Sequence, residues 1–260
     1  MIKYFSILTC LVLLSLPVLA DSLVESIGSE ITDPVIRYAG NHAILSVASI
    51  TDRTFEITLY PLETIHSTPE DLPASPFLKE YDSRSLWNSR TIMDPVRGSV
   101  GDHILEILRT PLRIILRDEE NNIIQQLTWP ESSDGRLEFM RGDALLGPTN
   151  NGDWIEISNG KSESDLSEEI QRDDLSMLID PAAGWALFYH HPENGTRLTF
   201  DGENGVLTPD PNDLVSPVQL FLTIWDDVDQ LQDEYHQFAE DQLLNRVESA
   251  AEFIQNLSGK

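Results

Sequence analysis

The 260-residue chain carries 44 acidic against 17 basic residues, a formal charge of −27, and one cysteine. A field of that sign repels phosphate backbones and anionic bilayers, so composition excludes nucleic acid and lipid surfaces as partners. It is compatible with a neutral ligand such as a sugar, and equally with an acidic surface that serves solubility.

The first twenty residues read as a signal peptide: Lys3, an apolar run from Phe5 to Leu16, then Pro17-Val18-Leu19-Ala20. A cleaved leader predicts a secreted or periplasmic protein. The apolar run is short for a membrane span, and Cys10 sits inside it rather than at its cleavable end, which argues against a lipid anchor. Loss of Lys3 with the leader takes the charge from −27 to −28. The mature chain, from about Asp21, then has no cysteine and must be held by its own core. Its length of about 240 residues suffices to bury roughly 70% of the unfolded surface. The expected organisation is a β-sandwich domain over 21–226 followed by a C-terminal helix or helix pair over 227–258. No later segment reaches the ~20 apolar residues of a membrane-spanning helix.

Segments 31–38 and 42–50 flank the turn Ala39-Gly40-Asn41 and read as strands. In 53–60 the alternation is clearest: Phe55, Ile57 and Leu59 face one way, Glu56, Thr58 and Tyr60 the other. Residues 63–100, with prolines at 69, 73, 76 and 95, read as a long surface excursion. A hairpin follows, 112–116 and 123–129 joined by a polar tip, and then a short strand over 136–140. Residues 141–176, rich in Gly, Asn, Ser and Asp, read as loop. Short strands resume at 176–179, 184–189, 196–200 and 218–225. Many short strands at this spacing predict an all-β fold, a large antiparallel β-sandwich. The end differs in kind. Val228, Leu231, Tyr235 and Phe238 form one helical stripe, and Leu243, Val247, Ala250, Ile254 and Leu257 form a second. The five-residue step between them implies either two helices meeting near 239–241 or one helix that turns its apolar face to a new neighbour.

Chemistry-bearing residues are few. His190 and His191 are adjacent, so in a strand they point to opposite faces and cannot converge on one metal ion. No metal and no cofactor are expected. Neither a Gly-x-Ser-x-Gly elbow nor a phosphate-binding glycine loop occurs. Trp87, Trp129, Trp154 and Trp185 are rings that can stack on a sugar or fill a core, and Trp154, in a polar segment, is the leading stacking candidate. The carbohydrate-contact candidates are therefore Trp154, Trp185, His190 and His191.

Over roughly 31–239 the chain resembles the N-terminal domain of bacterial glycoside hydrolase family 31 enzymes. The resemblance is carried by Thr51-Asp52-Arg53-Thr54-Phe55-Glu56-Ile57, Pro111-Leu112-Arg113-Ile114, Phe139-Met140-Arg141-Gly142-Asp143 with Leu146-Gly147, and Gly184-Trp185-Ala186-Leu187-Phe188-Tyr189-His190-His191-Pro192. Phe200-Asp201-Gly202, then Leu220-Phe221-Leu222 and Glu234-Tyr235, complete the order. It implies a galactose-mutarotase-like β-sandwich that is exported, carbohydrate-associated and not catalytic alone. Two departures matter: Pro148-Thr149-Asn150-Asn151-Gly152-Asp153 lacks the family's Glu at that place, and the family's catalytic barrel, about 250 residues long, has no counterpart here. With it go both carboxylates of the retaining mechanism, so no catalytic residue is assigned. Trp225-Asp226-Asp227 imitates a nucleophile signature but stands where a helix needs an N-terminal cap. The implied partners are a separate glycosidase barrel or a carbohydrate. A freestanding carbohydrate-binding or scaffold protein, and a mutarotase-like epimerase using His190 or His191 with Glu193 or Glu203, are the alternatives.

Overall fold

The computed structural model describes residues 34–64, 66–68, 72, 75–142, 144–148, 153–157, 177–190, 196–201 and 203–258. Among them, sixteen strands form two antiparallel sheets. The nine-stranded sheet runs β1 (Arg37–Tyr38), β2 (Asn41–Ser49), β3 (Thr54–Leu62), β16 (Val218–Ile224), β13 (Trp185–His190), β12 (Met177–Asp180), β10 (Leu146–Pro148) and β11 (Trp154–Glu156), with β4 (Arg84–Ser89) also paired to β2. The seven-stranded sheet runs β14 (Thr196–Asp201), β15 (Asn204–Pro209), β9 (Leu137–Met140), β8 (Ile123–Trp129), β7 (Leu112–Arg117), β6 (His103–Leu108) and β5 (Val96–Val100). Two helices follow, α1 (Val228–Tyr235) and α2 (Asp241–Ser258). The protein is an all-β sandwich with a helical tail.

Alternation in the sequence decides which side chains meet between the sheets. Phe55, Ile57 and Leu59 of β3 point inward, each at most 1% exposed, and meet Leu105, Ile114, Leu127 and Phe139 from the facing sheet. A second core lies on the other face of the nine-stranded sheet, where α1, α2 and the turn between them cover it with Leu231, Tyr235, Phe238, Leu243, Val247 and Ala250. This explains why 184–189 and 218–225 are apolar runs without a period of two: a strand covered on both faces needs apolar residues on both. Trp185, Leu187 and Tyr189 enter the first core, and Ala186 and Phe188 the second. Register sets Phe188 opposite Phe221, and Phe221 stacks on Phe238 at 4.8 Å with a 5° interplanar angle.

The junctions follow from local chemistry. Gly184, at φ +67°, starts β13 where a Cβ would lie 2.5 Å from the Trp225 carbonyl oxygen, so only glycine fits the turn. Asp227 caps α1, its side chain accepting from the amides of Asp229 and Gln230, both at 3.1 Å. Asp226 instead pairs with Arg53 at 2.7 Å. Glu234 accepts from the hydroxyl of Thr51 and, at 2.6 Å, from that of Thr54, which ties α1 to the β2–β3 turn. The five-residue step in the stripe pattern is the break between two helices.

Two expected loops contain strands. In 63–100, β4 and β5 form, and Phe77, Leu78 and Tyr81 pack against the second core, with Leu78 bridged to Ala239. In 141–176, β10 and β11 form, so Trp154 lies in a strand and not in a polar loop. All four strands are short or polar, and their order comes from pairing with distant neighbours rather than from their own pattern. Of the segment 31–38, only Arg37–Tyr38 is strand among the described residues.

Candidate functional site

The proposed sugar-contact residues lie on different layers. Trp185 is 1% exposed between the sheets, edge-on to Phe139 with ring centroids 6.0 Å apart. Trp154 is 5% exposed beneath α2, where its Nε1 donates to the Arg246 carbonyl at 3.2 Å. Neither ring has a face open to stack on a ligand. His190 is half-buried on the helix side of the sheet, stacked on Phe188 at 6.3 Å and edge-on to Phe77 at 6.3 Å. His191 and Glu193 lie outside the described residues. Glu203 stands at the β14–β15 turn of the opposite sheet, so the pairing of His190 with Glu203 is not assembled. No three His, Cys, Asp or Glu converge on a metal position among the described residues.

A different set of polar side chains does converge. Glu56, Thr58 and Tyr60 share the outward face of β3, and register places Glu56 beside Phe221 and Thr58 beside Gln219. The Glu56 carboxylate accepts from Gln219 Nε2 at 2.7 Å, and Tyr81 Oη lies 3.3 Å from the same amide. Burial, and then the charge of Glu56, hold the Tyr81 phenol above its ordinary range. It therefore stays protonated and able to donate at neutral pH.

Beyond Tyr60 the strip opens into a cleft of about 650 Å³, which takes Asn41, Glu63, Ser67 and Thr68 as polar walls and Leu62, Val215 and Pro217 as apolar ones. Among the described residues no lysine or arginine lines it. Its described lining offers no cation to phosphate or carboxylate, whereas its amide, phenol, hydroxyl and carboxylate groups beside apolar walls match the hydroxyls and C–H faces of a neutral sugar. Sequence alternation had put Glu56, Thr58 and Tyr60 on one face. Gln219 and Tyr81 join them only through long-range pairing, and no local signal marks either.

No family model matches the chain, and no curated protein matches it. Solved structures do. A GH31 dextranase from Flavobacterium johnsoniae, complexed with isomaltotriose, matches with 7% identity over 76% of this chain and 26% of its own, at a TM-score of 0.51. The likeness is one of fold. The same dextranase complexed with glucose gives equal values. A cycloalternan-forming enzyme from Listeria monocytogenes, in complex with a pentasaccharide substrate, aligns at 13% identity over 74% of this chain and 19% of its own, with a TM-score of 0.45. The chain thus spans about a quarter or less of these enzymes' length.

Proposed function

We propose that the chain is an exported, carbohydrate-associated accessory β-sandwich, equivalent to the N-terminal domain of a family 31 glycosidase and not catalytic alone. The partner this reading implies is a glycosidase barrel, and the ligand a neutral saccharide held at the Tyr60 cleft. The observation that carries it is the cleft at the end of the Glu56–Tyr60 strip, whose described lining holds polar groups and no lysine or arginine. Fold likeness to part of a dextranase supports the carbohydrate class by analogy. Export rests on the leader-like first twenty residues.

The test is affinity electrophoresis of the mature chain in gels containing dextran, with titration calorimetry against isomaltotriose. Expected is retardation by the neutral glucan that weakens at least tenfold in Tyr60→Ala, while Trp185→Phe leaves it unchanged. Absence of retention by any neutral glucan overturns the saccharide reading. Hydrolysis of an aryl α-glucoside by the chain alone overturns the non-catalytic one, and accelerated anomerisation of free sugars favours an epimerase instead.

A further inference from the structure

Among the described residues, the helix layer and the outer face of the seven-stranded sheet carry opposite charge. On the helix layer, Asp229, Asp233, Glu240, Asp241, Glu248 and Glu252 are exposed, opposite the buried stripe of Leu231, Tyr235, Leu243 and Val247. Among the described residues none of these carboxylates has a cationic partner.

The far side is the outer face of the seven-stranded sheet. Because Leu112, Ile114 and Leu116, Leu137 and Phe139, and Leu198 point into the first core, their neighbours Arg113, Arg117, Arg136 and Arg197 point out, and Arg97 stands with them on β5. Against these five arginines the described side chains of the same face set Glu106 and Glu138, which pair with Arg117 and Arg136, each at 3.4 Å. Among the described residues the other three pair with no carboxylate: Arg97 donates to Asn121 Oδ1 at 2.8 Å, Arg113 Nε is buried without a described partner, and Arg197 is exposed. Acids return at the rim, with Asp102 in the turn after β5, Glu119 and Glu120 in the turn after β7, and Glu203 in the turn after β14. Register spreads the arginines over a sheet about 30 Å wide, at ~4.8 Å per strand. Met140 and Ile123 are exposed among them at 37% and 40%. Among the described residues no aromatic ring stands on the face, so stacking on sugar is not the chemistry it offers. Arginine with Met, and no lysine among the described residues of the face, is the composition of a protein interface.

We propose that this arginine face docks on the acidic helix layer of a second copy of the chain. The two surfaces lie on opposite sides of one molecule, so the contact is heterologous and leaves one face unused at each end. Copies therefore add head to tail, and average mass keeps rising with concentration rather than stopping at a dimer. The net charge of −27 opposes the approach. At about 0.1 M salt the Debye length of ~10 Å screens this diffuse repulsion while contact pairs survive, and by about 1 M, at ~3 Å, the pairs are screened too.

Sedimentation velocity of the mature chain across salt and protein concentration tests this. Expected is self-association that is strongest near 0.1 M and weakens at least tenfold by about 1 M. Arg97→Glu/Arg113→Glu/Arg197→Glu abolishes it, as does Asp229→Lys/Asp233→Lys/Glu248→Lys/Glu252→Lys. Mixing the two variants restores a complex, because reversed faces complement each other, which also shows that both remain folded. A monomer at every salt and concentration overturns the proposal. So does association that persists in the arginine variant, or a mixture that stays monomeric.

Discussion

Tyr38 is 2% exposed, and its hydroxyl has no hydrogen-bond partner among the described residues, which leaves the desolvation of that group uncompensated. Burial first, then the charges of Asp213 and Asp134, hold its phenol above the ordinary value of 10.0. Burial raises Tyr189 and Tyr235 in the same direction. A folded-state pKa above the unfolded one gives stability that is complete below the unfolded value and is lost as pH rises past it. Stability should therefore fall steeply above about pH 10, with up to four protons released per unfolding event, one each from Tyr38, Tyr81, Tyr189 and Tyr235. Replacing Tyr38 with Phe removes an unpaired hydroxyl and one of those protons. Urea unfolding should show Tyr38→Phe unchanged to about 1 kcal/mol more stable at pH 7, with a shallower alkaline limb. A loss of more than ~1 kcal/mol would mean that the hydroxyl has a partner. At this scale the sequence was legible where neighbours along a strand decide a side chain's fate, as with Phe55 inward and Tyr60 outward. It was opaque where distant elements decide it. Nothing in the polar surroundings of Trp154 announces that α2, about ninety residues later, covers its ring.

The helix pair is part of the core rather than an attachment to it. Phe238 is fully buried, stacked on Phe221 at 4.8 Å, tilted on Tyr235 at 4.9 Å and edge-on to Tyr81 at 6.2 Å. One ring thus joins β16, α1 and the segment before β4. Phe238→Ala should cost about 3–5 kcal/mol, since three rigid aromatic neighbours leave little room for collapse around the cavity. Equilibrium unfolding in urea measures it, and a cost below ~1 kcal/mol would show that the helices are dispensable to the sandwich. The helices themselves were readable from two apolar stripes and the step between them, because a stripe is a local pattern that records a covered face. Strands β4, β5, β10 and β11 left no such pattern. They are short, and exposed at an edge or built around Gly and Pro, so their backbone order is supplied by β2, β6 and β12. The same logic hid the second core: an apolar run in 218–225 shows that both faces of a strand are covered, without showing by what.

At the scale of the whole molecule, 44 carboxylates face 17 cations, and several cations are already committed, Arg53 to Asp226 and Arg117 to Glu106. Most exposed acids on the helix layer therefore repel one another without relief, a cost that compaction increases and unfolding reduces. Surface pairs contribute about 0–1 kcal/mol each, so screening them away loses little. Screening the net repulsion gains more, because it acts on every acid at once. The melting temperature should accordingly rise between about 0.02 M and 0.5 M sodium chloride, by several degrees for a chain of this size. Calorimetry at a dilution where the chain is monomeric separates this from any gain by association, which would vary with protein concentration. The helix-layer substitutions Glu248→Lys and Glu252→Lys should raise the low-salt melting temperature and flatten its salt dependence. A melting temperature that falls with added chloride would mean that local ion pairs, not the net field, set the electrostatic balance of the fold.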